Sequence, residues 1–277
     1  MIALVTCHAA LDLDTDLPLL VRELPEAAVV SWDDDTVDWE AFRVVIIRSA
    51  WDYHQRSDEF LAWARHVARV STLWNPLDVI EWNIDKRYLA DVERRGVPIV
   101  PTSFIESEQD VSGVVTAGDI VVKPSVGAGS NGVFRSRGDR QAALAHTRSL
   151  LAAGSTVMVQ PYVERVDVTG ETGLVYLGGE FSHAFRKSAI LAEPVEFEGG
   201  LMAVEQSSRH LATVEERALG AQVASLLPPT AYARIDLLPG EGGPVVLELE
   251  LTEPSLFLHH DPGAAARAAA VFRSLAT

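Results

Sequence analysis

DIVVKPSVGAGSNGV, residues 119–133, is the stretch on which the fold reading turns. Ile120, Val121 and Val122 are consecutive strand formers. Lys123 and Pro124 follow, and then a small-residue loop carrying Gly127, Gly129 and Gly132. A lysine at the end of a buried strand, ahead of a glycine-rich turn, suits a grip on polyphosphate. The glycines let backbone N–H groups approach an anion closely, and the lysine adds a full positive charge.

The glycine spacing alone fits more than one fold. GAGSNG (127–132) matches G-x-G-x-x-G letter for letter. A dinucleotide fold, however, needs a helix directly after the loop and an acidic residue at a strand end about twenty residues on. Here the strand-like VFRSR follows, and Ala152 stands at the later position, inside a helical pattern. A protein-kinase glycine hairpin is a second fit, but kinases place the lysine after the loop and carry H-R-D and D-F-G motifs. In this chain the lysine precedes the loop and neither motif occurs.

Outward from the loop, strands and helices alternate. Strands are expected at 2–7, 27–32, 43–49 and 72–74, with helices at 17–24 and 58–70. Such alternation predicts an open parallel sheet of the α/β class. Residues 85–95 read as a helix stopped by Gly96 and Pro98, after a turn at Asn75-Pro76. Lys86 then lies in its first turn, where the helix dipole disfavours a cation; a reach towards phosphate and a solvated surface lysine both remain open. A small α+β unit follows, with a helix at 108–117, the opening strand, a return strand at 133–137, a helix at 140–152 and a strand at 156–160. The last third reads as strands at 173–177, 181–186, 232–238 and 244–251, with helices at 214–227 and 263–275. EPVEFEGG (193–200) is expected to be a mobile loop. The domain expectation is an N-terminal α/β unit over 1–100, a small lobe over 101–163 and a C-terminal lobe over 164–277.

Bulk properties narrow the function classes. The 277 residues are 48% hydrophobic and 22% charged, the balance of a soluble globular protein. No apolar run is long enough to span a bilayer, and MIALVTCHAALDLD, without a basic n-region, reads as a first buried strand rather than a signal peptide. The net charge of −16 argues against nucleic acid and anionic membranes as partners. Cys7 is the only cysteine, which excludes an intrachain disulfide and fits a cytoplasmic location; it reads as packing or as a weak candidate nucleophile. In the RSAWDYHQRSD loop, Arg48, Asp52 and Tyr53 are candidate substrate contacts, or the loop simply enters a helix with Ser57 as N-cap.

Two late segments carry acidic chemistry. In YARIDLL (232–238), Arg234 and Asp236 share one strand face, and in VVLELELTEPSLF (245–257) so do Glu248 and Glu250. A solvated strand face is the plain account. Carboxylates meeting on adjacent strands would otherwise call for a cation.

Taken together, the loop, the strand VMVQPYVERV (157–166), the segment HAFRKSA (183–189) and the acidic strands resemble, in this order, the ATP-grasp superfamily of carboxylate–amine ligases. Glutathione synthetase, RimK-like ligases and D-alanine–D-alanine ligase are members. The chain looks closest to a subgroup of short ATP-grasp proteins that includes the O-ureido-serine cyclo-ligase of cycloserine biosynthesis. The resemblance covers most of the chain and is firmest over 75–254. It implies an ATP-grasp fold behind a pre-ATP-grasp parallel-sheet domain, ATP and two Mg²⁺ ions as cofactors, an amino-acid-like small-molecule substrate and the option of a homo-oligomer. Residue by residue, it implies Lys86 and Lys123 on phosphates and the loop with Ser125, Gly127, Gly129, Ser130 and Gly132 as their lid. Gln160, Pro161, Tyr162 and Val163 correspond to the adenine hinge, with Val163 as N–H donor because Pro161 has none. Glu164 or Glu171 corresponds to the ribose contact. Lys187, Arg186 and Arg234 correspond to catalytic cations, although neighbours on a strand face opposite ways. Asp236, Glu248 and Glu250 correspond to the Mg²⁺ ligands, with a glutamate at position 250 where members often have asparagine. The implied reaction forms an acyl phosphate that a nitrogen then displaces. A non-catalytic ATP-binding module and a small-molecule kinase are the alternatives.

Overall fold

The computed structural model describes residues 1–115, 118–192, 197–198, 201–203 and 206–277; the loop expected at 193–200 lies outside these but for 197–198. The first unit runs β1 (Ile2–Thr6), α1 (Leu17–Glu23), β2 (Ala27–Ser31), β3 (Val44–Ser49), α2 (Ser57–Val70), β4 (Thr72–Trp74), α3 (Leu77–Asn83) and α4 (Tyr88–Arg94). Its four strands are parallel, in the order β2-β1-β3-β4. Every residue of β1 and β3 is buried, as expected of parallel strands covered on both faces. Phe60, Trp63, Ala64 and Val67 recur at helical spacing on α2 and cover one face with Ala3, Val5, Val45 and Ile47.

The second unit runs β5 (Ser103–Ile105), α5 (Glu108–Val114), β6 (Ile120–Pro124), β7 (Phe134–Arg135), α6 (Arg140–Ala152) and β8 (Val157–Pro161). It forms an antiparallel sheet in the order β5-β8-β6-β7. The third runs α7 (Val166–Thr169), β9 (Glu171–Leu177), β10 (Glu180–Lys187), β11 (Phe197–Glu198), β12 (Met202–Ala203), β13 (Ser207–His210), α8 (Val214–Leu226), β14 (Tyr232–Gly240), β15 (Gly243–Glu250) and α9 (Ala264–Ser274). Five of its strands form an antiparallel sheet ordered β13-β10-β9-β14-β15, and β11 pairs with β12. Helix α9 turns back to the first unit, where Ala268 and Phe272 share a core with Ile2, Leu4, Leu17 and Leu20.

The edge strand β15 is held by side chains. Asn83 Nδ2 donates to Leu249 O at 2.8 Å, and its Oδ1 accepts from Leu251 N–H at 2.9 Å. Tyr88 Oη donates to Leu249 O and accepts from Leu249 N–H. A parallel bridge joins Ile99 to Val246. These contacts satisfy an edge that would otherwise be open to pairing, and they set which β15 side chains face the sheet and which face outwards. A further tie comes from the buried Asp16 carboxylate, which accepts from the N–H groups of Leu256, Phe257 and Leu258 at 2.6–3.0 Å.

Four local expectations are corrected. The 85–95 helix begins only at Tyr88, because the Asp85 side chain accepts from Arg87 N–H and forms an Asx turn. Lys86 therefore lies in the bend between α3 and α4, not in a helical first turn. Asn75-Pro76 leads into α3, a helix absent from the sequence reading. Ser57 is the first residue of α2, makes no capping hydrogen bond, and leaves Arg56 at the N-cap. Arg48 is buried, donates to Pro254 O at 2.7 Å and lies 4.8 Å from the Tyr232 ring, while Asp52 is held by Arg56 and by Trp32 Nε1. Both are structural; of the three loop candidates only Tyr53 reaches the cleft described below. Cys7 is buried, and burial, with Asp52 nearby, pushes its thiol up to about 11, so it is a packed thiol rather than a nucleophile. No helix among the described residues is long and apolar enough to cross a membrane.

Candidate active site

A cleft lies against the two larger antiparallel sheets, and Trp51 and Tyr53 from the loop after β3 reach its rim. Its acidic wall follows from strand register. In the β14–β15 pair, Asp236 stands opposite Glu248 and Arg234 opposite Glu250. The alternation that put leucines into the sheet core puts these four side chains into the cleft.

Cations of the chain meet this wall. Lys86 Nζ lies 3.0 Å from Glu248 Oε1, and Lys123 Nζ 3.8 Å from Glu248 Oε2. Lys187 Nζ lies 2.5 Å from Glu171 Oε1 and 3.3 Å from Asp236 Oδ2, and Lys187 and Glu171 are register partners of β10 and β9. Arg234 holds Asp236 at 2.7 Å, pairs with Glu250 and donates to Ser255 O at 3.0 Å. Burial opposes every one of these charges, so their partners decide the outcome. Lys86 stays above its ordinary value because Glu248 outweighs burial. Lys123 is held below its own by burial, which the more distant Glu248 does not offset. Asp236 is lowered against burial by Arg234 and Lys187, and Glu248 by Lys86 and Lys123. Glu250, partly buried and beside the other two carboxylates, is pushed up to about 7.

The chemistry of Asp236, Glu248 and Glu250 fits a hard divalent cation, because every donor is an oxygen. Among the described residues no three metal-ligating side chains stand together as a complete ion cage. That is the ordinary condition of Mg²⁺ sites, which take one or two carboxylates and complete the shell with phosphate oxygens and water.

The glycine loop closes the opposite side. Gly127, Gly129 and Ser130 line the cleft, and Gly129 and Ser130 adopt positive φ of 58° and 63°. Lys86 Nζ donates to Gly127 O at 2.6 Å, so the loop rests on the lysine beneath it. Asn131 fastens the loop further, through Leu201 O at 2.8 Å. Ser125 and Gly132 do not line the cleft. The Ser125 N–H is spent on Thr156 O, and its carbonyl accepts from Lys86 N–H. Gly132, at φ +72°, lies against Pro124 and forms the loop's exit.

At the far end the walls turn apolar, with Val121, Val166, Leu238 and Leu247 around the segment 160–163. Gln160, Pro161, Tyr162 and Val163 all line this slot. The Gln160 side chain donates to Thr102 Oγ1 at 2.9 Å, and the Val163 N–H has no partner among the described residues. A flat apolar slot edged by free backbone groups suits a planar heterocycle.

Two candidates lie elsewhere. Arg186 faces away from Lys187, as strand alternation requires, and pairs with Glu216 and His210. Glu164 is exposed and does not line the cleft, whereas Glu171 does. Asn83 lines the cleft and was not a candidate, and Asn131, inside the glycine loop, was not singled out there. Trp51, Glu253 and Ser255 also line it, from two segments whose individual residues no motif spacing picks out.

Gly170 supports the site from behind. It sits at φ +73°, and a Cβ there would stand 2.4 Å from Lys187 O. Gly170→Ala is expected to push β10 outward, destabilise the protein by about 1–3 kcal/mol and lower turnover together with stability. Urea denaturation and ADP release, measured side by side, check both effects.

Comparison with known proteins bears on this geometry. A family model described as the N-terminal domain of D-cycloserine synthetase DcsG matches residues 2–75. The cycloserine biosynthesis protein DcsG of Streptomyces lavendulae is 39% identical over 281 residues, covering 93% of each chain. The chain belongs to the DcsG family of ATP-grasp ligases. A crystal structure of D-cycloserine synthetase DcsG superposes with a TM-score of 0.88 at 36% identity, over 99% of both chains. A RimK domain ATP-grasp protein of Sphaerobacter thermophilus, at 15% identity and TM-score 0.70 over 98% of both chains, shares the fold. So does D-alanine–D-alanine ligase of Bacillus anthracis, at 12% identity and TM-score 0.67, over 99% of this chain and 96% of that one. This family member is an ATP-dependent carbon–nitrogen ligase with the α/β architecture that the strand–helix alternation predicted.

Proposed function

We propose that the protein closes the ring of an O-ureidoserine-type amino acid, using ATP to activate its carboxylate. The observation that carries this reading is the near full-length likeness to a cycloserine biosynthesis protein, at 39% identity. The cleft supports it with a lining that combines Lys86, Lys123, Lys187 and Arg234 with Asp236, Glu248 and Glu250.

In the first step a substrate carboxylate oxygen attacks the γ-phosphorus of ATP. The new O–P bond forms as the β,γ-bridging bond breaks, and ADP leaves. Lys86, Lys123 and Lys187 offset phosphate charge, which is the main demand of phosphoryl transfer. Asp236, Glu248 and Glu250 would hold Mg²⁺, which supplies further charge neutralisation. The apolar slot takes the adenine, with the Val163 N–H as donor. In the second step a nitrogen of the same substrate attacks the acyl carbon, the bond to phosphate breaks, and the nitrogen gives up its proton. Arg234, which donates to Asp236 and Ser255 O at the cleft wall, would hold the carboxylate and then the oxyanion. No protein nucleophile is needed, which agrees with the inert Cys7.

The test is an ADP-release screen with Mg-ATP over O-ureidoserine and unmodified amino acids, singly and in pairs, with products identified by mass spectrometry. The expected result is ADP release with O-ureidoserine alone and a cyclised product. Release only with pairs of amino acids would make the protein an intermolecular ligase. A stable phosphorylated product would make it a kinase.

A further inference from the structure

The cleft holds five carboxylates, and four of them meet a cation of the chain. Asp236 and Glu171 meet Lys187, Glu248 meets Lys86, and Glu250 meets Arg234. The fifth, Glu253, lines the cleft with no hydrogen bond or ion pair to its carboxylate among the described residues. We propose that Glu253, beside Trp51 and Tyr53, receives the α-ammonium group of the substrate and so selects an amino acid over a plain carboxylic acid.

Backbone anchors fix Glu253 in place. Trp51 Nε1 donates to Glu253 O at 3.0 Å, and the buried Arg48 donates to the next carbonyl, Pro254 O, at 2.7 Å. Ser255, two residues on, offers its carbonyl to Arg234. One short turn thus connects the carboxylate Glu253 to the guanidinium proposed to hold the substrate carboxylate, an arrangement matched to a zwitterion. Trp51 and Tyr53 line the same part of the cleft and are almost fully buried, so an ammonium there would meet aromatic surface as well as a carboxylate. Burial and the nearby Glu250 push the Glu253 carboxyl well above its ordinary range, which an arriving cation would relieve.

Such a receptor has a chemical purpose. An α-amine attacking its own activated carboxyl would form a strained three-membered ring, and a free amine could attack a second activated molecule. Ion pairing with Glu253 keeps the amine protonated and without a lone pair, leaving the other nitrogen to attack.

This inference rests on the proposed function, and the experiment separates the two. Steady-state ADP release is measured for wild type, Glu253→Gln and Glu253→Ala with O-ureidoserine and with its des-amino analogue. The expected result is a KM for O-ureidoserine raised by about 10²-fold in both variants, with the KM for ATP unchanged. Wild type should discriminate against the des-amino analogue by a similar factor, and the variants should not. Glu253→Gln with wild-type KM, or wild type using both compounds equally well, overturns the proposal. Circular dichroism checks that each variant folds; if one does not, the other still links the discrimination to Glu253, and equal use of both compounds by wild type overturns the proposal without any variant. If wild type releases ADP only with a different amino acid, the functional reading falls, and the same comparison on that amino acid and its des-amino form still decides the role of Glu253.

Discussion

Glu248→Gln is expected to lower ADP release by at least about 10²-fold while circular dichroism remains that of the wild type. Glu248 is the junction of the site. Its two oxygens face Lys86 at 3.0 Å and Lys123 at 3.8 Å, and it stands across the strand pair from Asp236. Glutamine keeps the shape and removes the charge. Lys86 and Lys123 then lose the carboxylate that counters burial, and the cleft loses the central donor of its oxygen set. The fold should persist because β14 and β15 are joined by main-chain bonds, and Asn83 and Tyr88 hold the outer edge of β15. Wild-type turnover in this variant would remove Glu248 from the phosphate and metal machinery.

Asn75→Ala should cost about 3–5 kcal/mol, by loss of three buried hydrogen bonds at one side chain. The Asn75 amide donates to Tyr232 O at 2.9 Å and Leu251 O at 2.6 Å, and accepts from Ala231 N–H at 2.8 Å. The side chain is fully buried, so water does not replace these partners. Two carbonyls and one N–H are stranded where the parallel sheet meets β14 and the end of β15. A typical domain is stable by about 5–15 kcal/mol, so this loss is a large share of the total. Urea unfolding monitored by tryptophan fluorescence measures it. A change below about 1 kcal/mol would show that the junction relaxes around the missing amide.

Legibility in the sequence followed the range of the interaction. Runs such as IALVT and VVIIRS declare buried parallel strands because both faces are covered. Period-two alternation put Glu248 and Glu250 on one face of their strand, and Arg234 and Asp236 on one face of theirs, while the β14–β15 register decided that the two faces coincide. The same alternation said that Arg186 and Lys187 must diverge but did not say which faces the cleft. The pairing of β10 with β9 decides that, by setting Lys187 opposite Glu171. The helix α3 escaped notice because Asn75-Pro76 reads as a turn. The role of Asn75 became visible only with partners more than 150 residues away.

By itself, the sequence determined the class of the protein. Short-range patterns of apolar spacing, a lysine ahead of glycines and alternating carboxylates depend on local backbone geometry, and local geometry is written in neighbouring residues. Tertiary structure alone decided which charges meet. Lys86 from a bend, Lys123 from one sheet and Glu248 from another converge at 3.0–3.8 Å, and Trp51 reaches Glu253 across 202 positions of chain. Such pairings arise from how the sheets pack, and burial then sets their charge state, which no local pattern encodes. The expectation of a phosphate grip at the glycine loop therefore needed only the sequence, while the residues beneath and beyond the loop were assembled only by the fold.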